Sequence, residues 1–147
     1  EGVRVRDGRE FRFVDLPGTY SLTAYSLDEV VARDFILDEK PDVIVDVLDS
    51  TNLERNLFLT LELLELGRPM VVALNMMDEA ARMGMSIDGE KLQSLLGAPA
   101  APLIASKGRG VRNLFITALR TAESGKPPQR PQYDPALEQA IHNLAII

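Results

Sequence analysis

Three short polar clusters contain the residues of this sequence that could bind a ligand. They are Asp15-Leu16-Pro17-Gly18, Asn75-Met76-Met77-Asp78 and Ala105-Ser106-Lys107-Gly108. Each cluster directly follows an apolar run that we expect to form a strand. In α/β sheets, ligands bind at the carboxyl ends of the strands. Asn75 lies 60 residues after Asp15, and Ala105 lies 30 residues after Asn75. The order and position of the clusters favour one shared binding site along one edge of a sheet.

Each cluster taken alone also fits an ordinary structural role. Pro17 fixes φ and Gly18 allows a positive φ, which suits a turn. Asn75 and Asp78 suit an Asx-type turn that caps the following helix, and Lys107 suits an exposed loop. Both interpretations stay open for the single motifs, because short patterns of this kind also arise by chance.

The elements that must position the clusters begin with a hairpin. Alternating segments on both sides of Asp7-Gly8, a two-residue turn signal, predict an antiparallel hairpin over residues 3–14. Three later apolar runs, at residues 43–48, 70–74 and 102–105, predict parallel strands that helices bury on both faces.

Helices separate these strands, and their ends can be read from the sequence. Ser26-Leu27-Asp28-Glu29 is one capping box, and Thr51-Asn52-Leu53-Glu54 is a second. Further predicted limits are a cap at Asp88, stops at Gly67, Gly97 and Gly125, and a last helix over residues 111–123. A hairpin followed by three strand–helix units predicts an α/β, doubly wound fold with a mostly parallel sheet.

Composition excludes several classes of function. The 147 residues include 22 acidic and 16 basic side chains, for a net charge of −6, which argues against nucleic acid or an anionic membrane surface as the main partner. The absence of cysteine excludes disulfides, thiolate zinc sites and a cysteine nucleophile. No apolar run reaches the length of a membrane span and the first residues are not a signal peptide, so we expect a soluble chain.

The three clusters resemble, in order, the G3, G4 and G5 motifs of small GTP-binding proteins. The resemblance implies that Asp78 accepts hydrogen bonds from the guanine N1–H and amine, a donor pair that adenine lacks. It also implies that Asn75 ties the base loop to neighbouring backbone and that the Ala105 N–H meets the guanine carbonyl. The guanine-binding set that it implies is Asn75, Met76, Asp78, Ala105, Ser106 and Lys107.

At the phosphate end, the resemblance implies that Asp15 holds a water molecule on Mg²⁺ and that the Gly18 N–H senses the γ-phosphate. A bound γ-phosphate would then order the segment from Gly18 to Ser26. Thr19 stands where many G proteins have a water-orienting glutamine. A hydroxyl is a poor substitute, so we expect a slow GTPase.

Longer stretches are similar to the cytosolic G domain of the FeoB family of bacterial ferrous iron transport proteins. The stretches are residues 15–22, 31–36, 49–57 and 73–80. The similarity covers about residues 1–124, a partial G domain, followed by a linker at 125–132 and the start of a helical domain at 133–147. It implies GTP, GDP and Mg²⁺ as ligands, the membrane-embedded part of the same polypeptide as partner, and a cytoplasmic position at the bacterial inner membrane.

The sequence departs from this family's pattern in the phosphate-binding segment. It has no G-x-x-x-x-G-K-[ST] motif and no first-switch threonine, and Ile104 stands where a Ser or Thr often opens G5. We expect the family's first strand to be absent, so two strands must pair directly, swap in a dimer or oligomer, or leave backbone groups unpaired. We therefore expect this chain alone to bind GTP poorly and hydrolyse it negligibly.

Two alternatives stay open beside a GTPase module of an iron transporter. The missing phosphate loop favours a non-catalytic nucleotide-sensing or interaction module for this chain alone. The other alternative is the G domain of another bacterial GTPase family, such as one that acts in ribosome or tRNA maturation. The acidic balance and the sequence Asn75-Met76-Met77-Asp78 argue against that one.

Overall fold

The computed structural model describes residues 1–6, 8–23, 25–129, 134–136 and 139. The chain divides into two compact units, Glu1–Lys40 and Pro41–Ile147. The described strands form two sheets, an antiparallel pair in the first unit and a parallel sheet of three strands in the second. The predicted α/β class, the N-terminal hairpin and the parallel strands are confirmed.

The hairpin of the first unit consists of β1, Gly2–Arg6, and β2, Arg9–Phe13. Gly2 pairs with Phe13 at the open end of the hairpin. At the turn, Gly8 has a φ of +74°, a conformation that glycine adopts without steric cost. Asp7, the other predicted turn residue, lies outside the described residues.

Helix α1, Leu27–Glu39, follows the loop after the hairpin and begins at the predicted capping box. The Glu29 N–H donates to Ser26 Oγ, and the Ser26 N–H donates to Glu29 Oε2, both at 3.2 Å. These two bonds satisfy N–H groups that the first helical turn leaves without partners, and they fix where α1 starts.

The second unit supplies the parallel sheet and the helices between its strands. Its elements are β3, Ile44–Asp49; α2, Leu53–Glu65; β4, Met70–Asn75; α3, Met77–Arg82; α4, Gly89–Leu96; β5, Ala100–Pro102; and α5, Val111–Ser124. The sheet order is β3-β4-β5, and the first five residues of β4, from Met70 to Leu74, are at most 1% exposed. The central strand β4 therefore forms the core, and it ends at the second polar cluster.

Strand β3 differs from the prediction of a strand buried on both faces. Asp46 and Leu48 are buried, but Val45 is 40% and Val47 is 55% exposed. Among the described strands β3 pairs only with β4, so its outer edge has no strand neighbour. The two-sided burial was wrong for β3 because the described residues cover only one of its faces.

The third parallel strand lies earlier than predicted. We expected residues 102–105, but β5 covers Ala100–Pro102, and Ala105–Lys107 forms a 3-10 turn. The strand ends early because Ile104 exchanges backbone hydrogen bonds with Arg109 instead of continuing along β4.

The second predicted capping box was wrong, although its helix is present. Asn52 occupies the N-cap position of α2 and makes no capping hydrogen bond through its side chain. Asp49 Oδ1 instead accepts from both the N–H and the hydroxyl of Thr51, at 2.8 and 2.7 Å, and caps a 3-10 turn over Ser50–Asn52. The predicted cap at Asp88 and the predicted glycine stop of α5 are confirmed.

After α5, residues 125–129 have no regular secondary structure, and the linker at 125–132 stays a prediction. The predicted start of a helical domain at 133–147 lies mostly outside the described residues; within it, Pro135, Ala136 and Gln139 are described as helical. In the described part of the chain, no helix combines the length and the apolar character that a membrane crossing needs.

Candidate functional site

The second and third polar clusters meet at the carboxyl edge of the parallel sheet. Leu74 pairs with Pro102, so β4 and β5 end side by side. Immediately beyond these ends, the Ala105 N–H donates to Asn75 Oδ1 at 3.0 Å. This bond joins the two loops, and it is the type of tie to neighbouring backbone that we expected of Asn75.

The loop that carries Ala105, Ser106 and Lys107 is closed by its own backbone. Ile104 N donates to Arg109 O at 3.0 Å, and Arg109 N donates to Ile104 O at 3.2 Å. Gly110 then passes so close to β5 that an added Cβ would lie 2.3 Å from Pro102 O. The backbone thus fixes the loop without the Ser or Thr hydroxyl whose place Ile104 takes.

Asp78 occupies the first turn of α3 and points its carboxylate at the same loop. Its Oδ2 lies 2.5 Å from Lys107 Nζ, and its Oδ1 accepts from the Glu79 N–H at 3.1 Å. The hydrogen bond from Lys107 is the main reason why the pKa of Asp78 lies below its usual value, while partial burial acts in the opposite direction. Asp78 is therefore an ionised acceptor at neutral pH.

Met76 connects β4 to α3 in a left-handed backbone conformation, with φ 61° and ψ 32°. Such a conformation costs an unbranched residue about 1 kcal/mol or more, so the surrounding structure must hold it in place. Its side chain is 39% exposed beside the two loops. A strained residue next to convergent polar groups is typical of a binding site.

These loops line a cavity of about 350 Å³ that is open to solvent on one side. The residues that line it are Asn75, Met76, Asp78, Glu79, Arg82, Ile104, Ser106 and Lys107. Five of the six predicted guanine-binding residues are among them, and the sixth, Ala105, takes part through its N–H. We did not predict Glu79 and Arg82, which form an ion pair. Their positions one and four residues after Asp78, on the same helix α3, were the available signal.

The stretch from Asp49 to Leu57 makes contacts that hold the elements of the site in place. Asn56 Oδ1 accepts from the Asp49 N–H at 3.3 Å, and Asn56 Nδ2 donates to Asn52 O at 2.8 Å. Ser50 is fully buried, and its hydroxyl contacts Met77 Sδ at 3.4 Å. These contacts fix the end of β3 against α2 and α3, and so hold the helix that carries Asp78.

The first cluster lies in the other compact unit, after β2. Asp15 is exposed and, among the described residues, makes no hydrogen bond or ion pair. The Thr19 hydroxyl donates to Ser21 O at 2.6 Å. Gly18 does not have the positive φ on which the turn interpretation relied, so that detail was wrong, and nothing lies within 4 Å of an added Cβ.

Sequence reasoning missed Asp46, the buried carboxylate of the parallel sheet. It is 5% exposed in β3, and Thr60 of α2 donates to its Oδ2 at 2.6 Å. Burial raises its pKa to about 6, although the Thr60 hydrogen bond acts in the opposite direction. A single acidic residue within the apolar run 43–48 was the available signal.

Comparison with known proteins identifies the family. The model of the family "Ferrous iron transport protein B" matches residues 1–118, most of the chain. The chain belongs to this family. A curated relative, the Fe(2+) transporter FeoB of Salmonella typhimurium, is 48% identical over 120 residues, which cover 79% of this chain and 16% of the relative. This membership removes the alternative of a GTPase from another family.

Solved structures agree with the family and with the fold. The FeoB G-domain from Methanococcus jannaschii is 47% identical, with a TM-score of 0.80 over 83% of this chain and 78% of that one. The cytosolic domain of T. maritima FeoB in its GMPPNP form is 34% identical, with a TM-score of 0.89 over 99% of this chain and 57% of that one. A GDP form of the same domain superposes equally well. The fold is that of a P-loop GTPase, and the chain spans 16–18% of the length of the curated relatives it matches.

Proposed function

We propose that this chain supplies the guanine-reading part of a G domain that couples nucleotide state to Fe²⁺ uptake by a membrane transporter. The supporting observation is that Asn75, Asp78 and the loop of Ala105 converge on one cavity. Membership of the family and relatives with GDP and GMPPNP forms give this convergence its chemical meaning.

The selectivity of the cavity rests on Asp78. A carboxylate only accepts hydrogen bonds, and guanine offers two adjacent donors that can meet its two oxygens. Adenine lacks this pair and would leave a partly buried carboxylate without partners, which costs binding free energy. In this proposal, the exposed side chain of Met76 packs on the face of the base. The Ala105 N–H has a competing acceptor in Asn75, so its bond to the guanine carbonyl stays a prediction.

Asp15, Gly18 and Thr19 serve the phosphate end in this proposal. The Asp15 carboxylate is exposed and has no partner among the residues that the structure describes, which fits the role of holding a water molecule on Mg²⁺. Mg²⁺ supplies charge neutralisation on the phosphates when it is bound. The Gly18 N–H contacts the γ-phosphate, and the Thr19 hydroxyl, already bonded to Ser21, orients water poorly. Hydrolysis is therefore slow in the complete domain.

The proposal also assigns the chain its place in a longer polypeptide. Residues 1–124 form the partial G domain, 125–132 the linker, and 133–147 the start of a helical domain that leads to the membrane-embedded part. The whole lies at the cytoplasmic side of a bacterial inner membrane. By itself the chain binds and hydrolyses GTP poorly, since it has no phosphate-loop motif.

Titration with fluorescent GDP and ADP tests the proposal on two proteins: these 147 residues alone, and the longest natural polypeptide that carries them. We expect only the longer protein to bind, with strong preference for GDP. If the longer protein binds neither nucleotide, the clusters are ordinary turns and helix caps, and the proposed GTPase function is wrong. Nucleotide binding without turnover would favour the non-catalytic sensing module.

A further inference from the structure

Both oxygens of the Asp78 carboxylate are engaged within the protein itself. Oδ1 accepts from the Glu79 N–H at 3.1 Å, and Oδ2 lies 2.5 Å from Lys107 Nζ. Asp78 lies in α3, which follows β4, and Lys107 lies in the 3-10 turn that follows β5. The ion pair therefore closes one side of the cavity and joins its two walls.

The Lys107 ammonium and a guanine base need the same carboxylate. Guanine directs two N–H groups at Asp78, and the second of them approaches the oxygen that Lys107 holds. We propose that Lys107 acts as a latch on the guanine pocket: its pairing with Asp78 lowers the rate at which a guanine base enters, because only the unpaired Asp78 can accept the base. This inference rests on the proposed function, because it assumes that Asp78 reads the base.

The surroundings of the pair make Lys107 the group that a base must displace. Arg82, the other cation that lines the cavity, pairs with Glu79. Lys107 is 55% exposed and sits on a flexible four-carbon stem, so its head can swing into water without moving the loop. Asp78 is only 25% exposed and stays in the wall. The latch therefore opens on the lysine side.

The exposure of Lys107 also sets the size of the effect. Ion pairs open to water are weak, and salt screens them further. The latch should slow guanine entry by about three- to five-fold at low salt and by little at high salt. When Lys107 leaves, the Asp78 carboxylate loses a hydrogen-bond donor. Guanine supplies new donors and adenine does not, so only guanine can take the place of Lys107.

The test uses the longest natural polypeptide that carries this sequence and follows association and dissociation of fluorescent GDP by stopped flow. Lys107→Met keeps most of the side-chain length but removes the charge. We expect it to raise the association rate constant about three- to five-fold at 50 mM KCl and to leave the dissociation rate constant unchanged. Lys107→Arg keeps the charge and can donate two N–H groups to the Asp78 carboxylate, so it should not raise the association rate constant. Lys91→Met, an exposed lysine on α4, controls for the loss of one positive charge.

Guanosine has no phosphate, so the salt dependence of its binding reports on the pair of Lys107 and Asp78 and not on phosphate contacts. In competition titrations, its affinity for the unsubstituted protein should rise with KCl towards that of Lys107→Met, and the affinity of the variant should stay constant. If GDP dissociates faster from Lys107→Met while its association rate constant is unchanged, Lys107 contacts the base directly and the latch is overturned. Association and dissociation rate constants that are both unchanged would also overturn the latch. Failure of the unsubstituted protein to bind GDP would instead overturn the proposed function itself, and the latch with it.

Discussion

Gly18 has neither of the two intramolecular reasons for which a chain usually requires glycine. Its φ is not in the left-handed region, and an added Cβ would meet nothing within 4 Å. Close approach of a partner to its backbone N–H is a third reason for glycine, and the proposed contact to a γ-phosphate would supply it.

The variant Gly18→Ala should therefore change nucleotide binding without lowering the stability of the fold. We expect the free energy of unfolding to stay constant or to rise by up to about 1 kcal/mol, because alanine restricts the unfolded chain. GDP affinity should stay the same, whereas GMPPNP should bind about ten-fold more weakly, because the methyl group crowds the γ-phosphate. Parallel thermal unfolding and titrations with both nucleotides check this. Equal weakening for both nucleotides would place Gly18 away from the γ-phosphate.

Asp78 should decide which base the pocket accepts. Asp78→Asn replaces one acceptor by an amide donor, which suits xanthine, whose C2 carbonyl stands where guanine has an amine. We expect GDP affinity to fall about 100-fold and xanthosine diphosphate to become the preferred ligand. Competition titrations with the two diphosphates measure both changes. Asp88→Asn, which alters only the cap of α4, is the matched control and should leave the preference unchanged.

At the scale of elements, the approach of Gly110 to β5 holds the base loop in place. Its φ is +81°, and an added Cβ would lie 2.3 Å from Pro102 O, whereas Gly108 has a φ of +66° and open space around it. Gly110→Ala should lower the free energy of unfolding by about 2–4 kcal/mol, and Gly108→Ala by about 1 kcal/mol, the cost of backbone strain alone. Chemical denaturation of both variants compares the two. Equal losses would show that the contact with β5 contributes nothing.

The contact between β3 and α2 should make stability depend on pH through Asp46. Its pKa of about 6 in the folded chain lies above the usual 3.8, so the folded state binds the proton more tightly than the unfolded state. The contribution of Asp46 to the free energy of unfolding is therefore fully present below about pH 4 and is lost as the pH rises through 6. The difference amounts to about 3 kcal/mol at most.

Asp46→Asn tests this dependence because the amide keeps the shape of the side chain and an acceptor for Thr60. The variant should be more stable than the unsubstituted chain at pH 7 by about 2–3 kcal/mol, and should lose the slope between pH 4 and 6. Thr60→Val removes the hydrogen bond that lowers the Asp46 pKa, so the slope should extend to higher pH. Denaturation curves at several pH values check both variants. A slope that persists in Asp46→Asn would assign it to other groups.

At the scale of the whole molecule, local signals predicted the hairpin, the parallel strands and most helix ends, because they depend on neighbouring residues. Ser26 with Glu29 and Asp88 before α4 are examples. The limits of β5 were not predictable, since they depend on a bridge between Ile104 and Arg109. The convergence of the polar residues after β4 and β5 could be predicted from their order along the chain, and their role as a binding site stays a prediction. The pairing of Lys107 with Asp78 requires the three-dimensional structure.

The outer edge of β3 has a consequence for the chain in concentrated solution. A strand edge without a neighbour exposes unpaired N–H and C=O groups, and Val45 and Val47 add apolar surface beside it. Such an edge is a template on which copies of the chain can add to one another, so self-association should grow with protein concentration. Val47→Lys should suppress this growth, whereas Val31→Lys, on the exposed side of α1, should not. Light scattering of both variants across a dilution series would distinguish association through the edge of β3 from association through exposed apolar side chains in general. It would also give the protein concentration at which self-association begins.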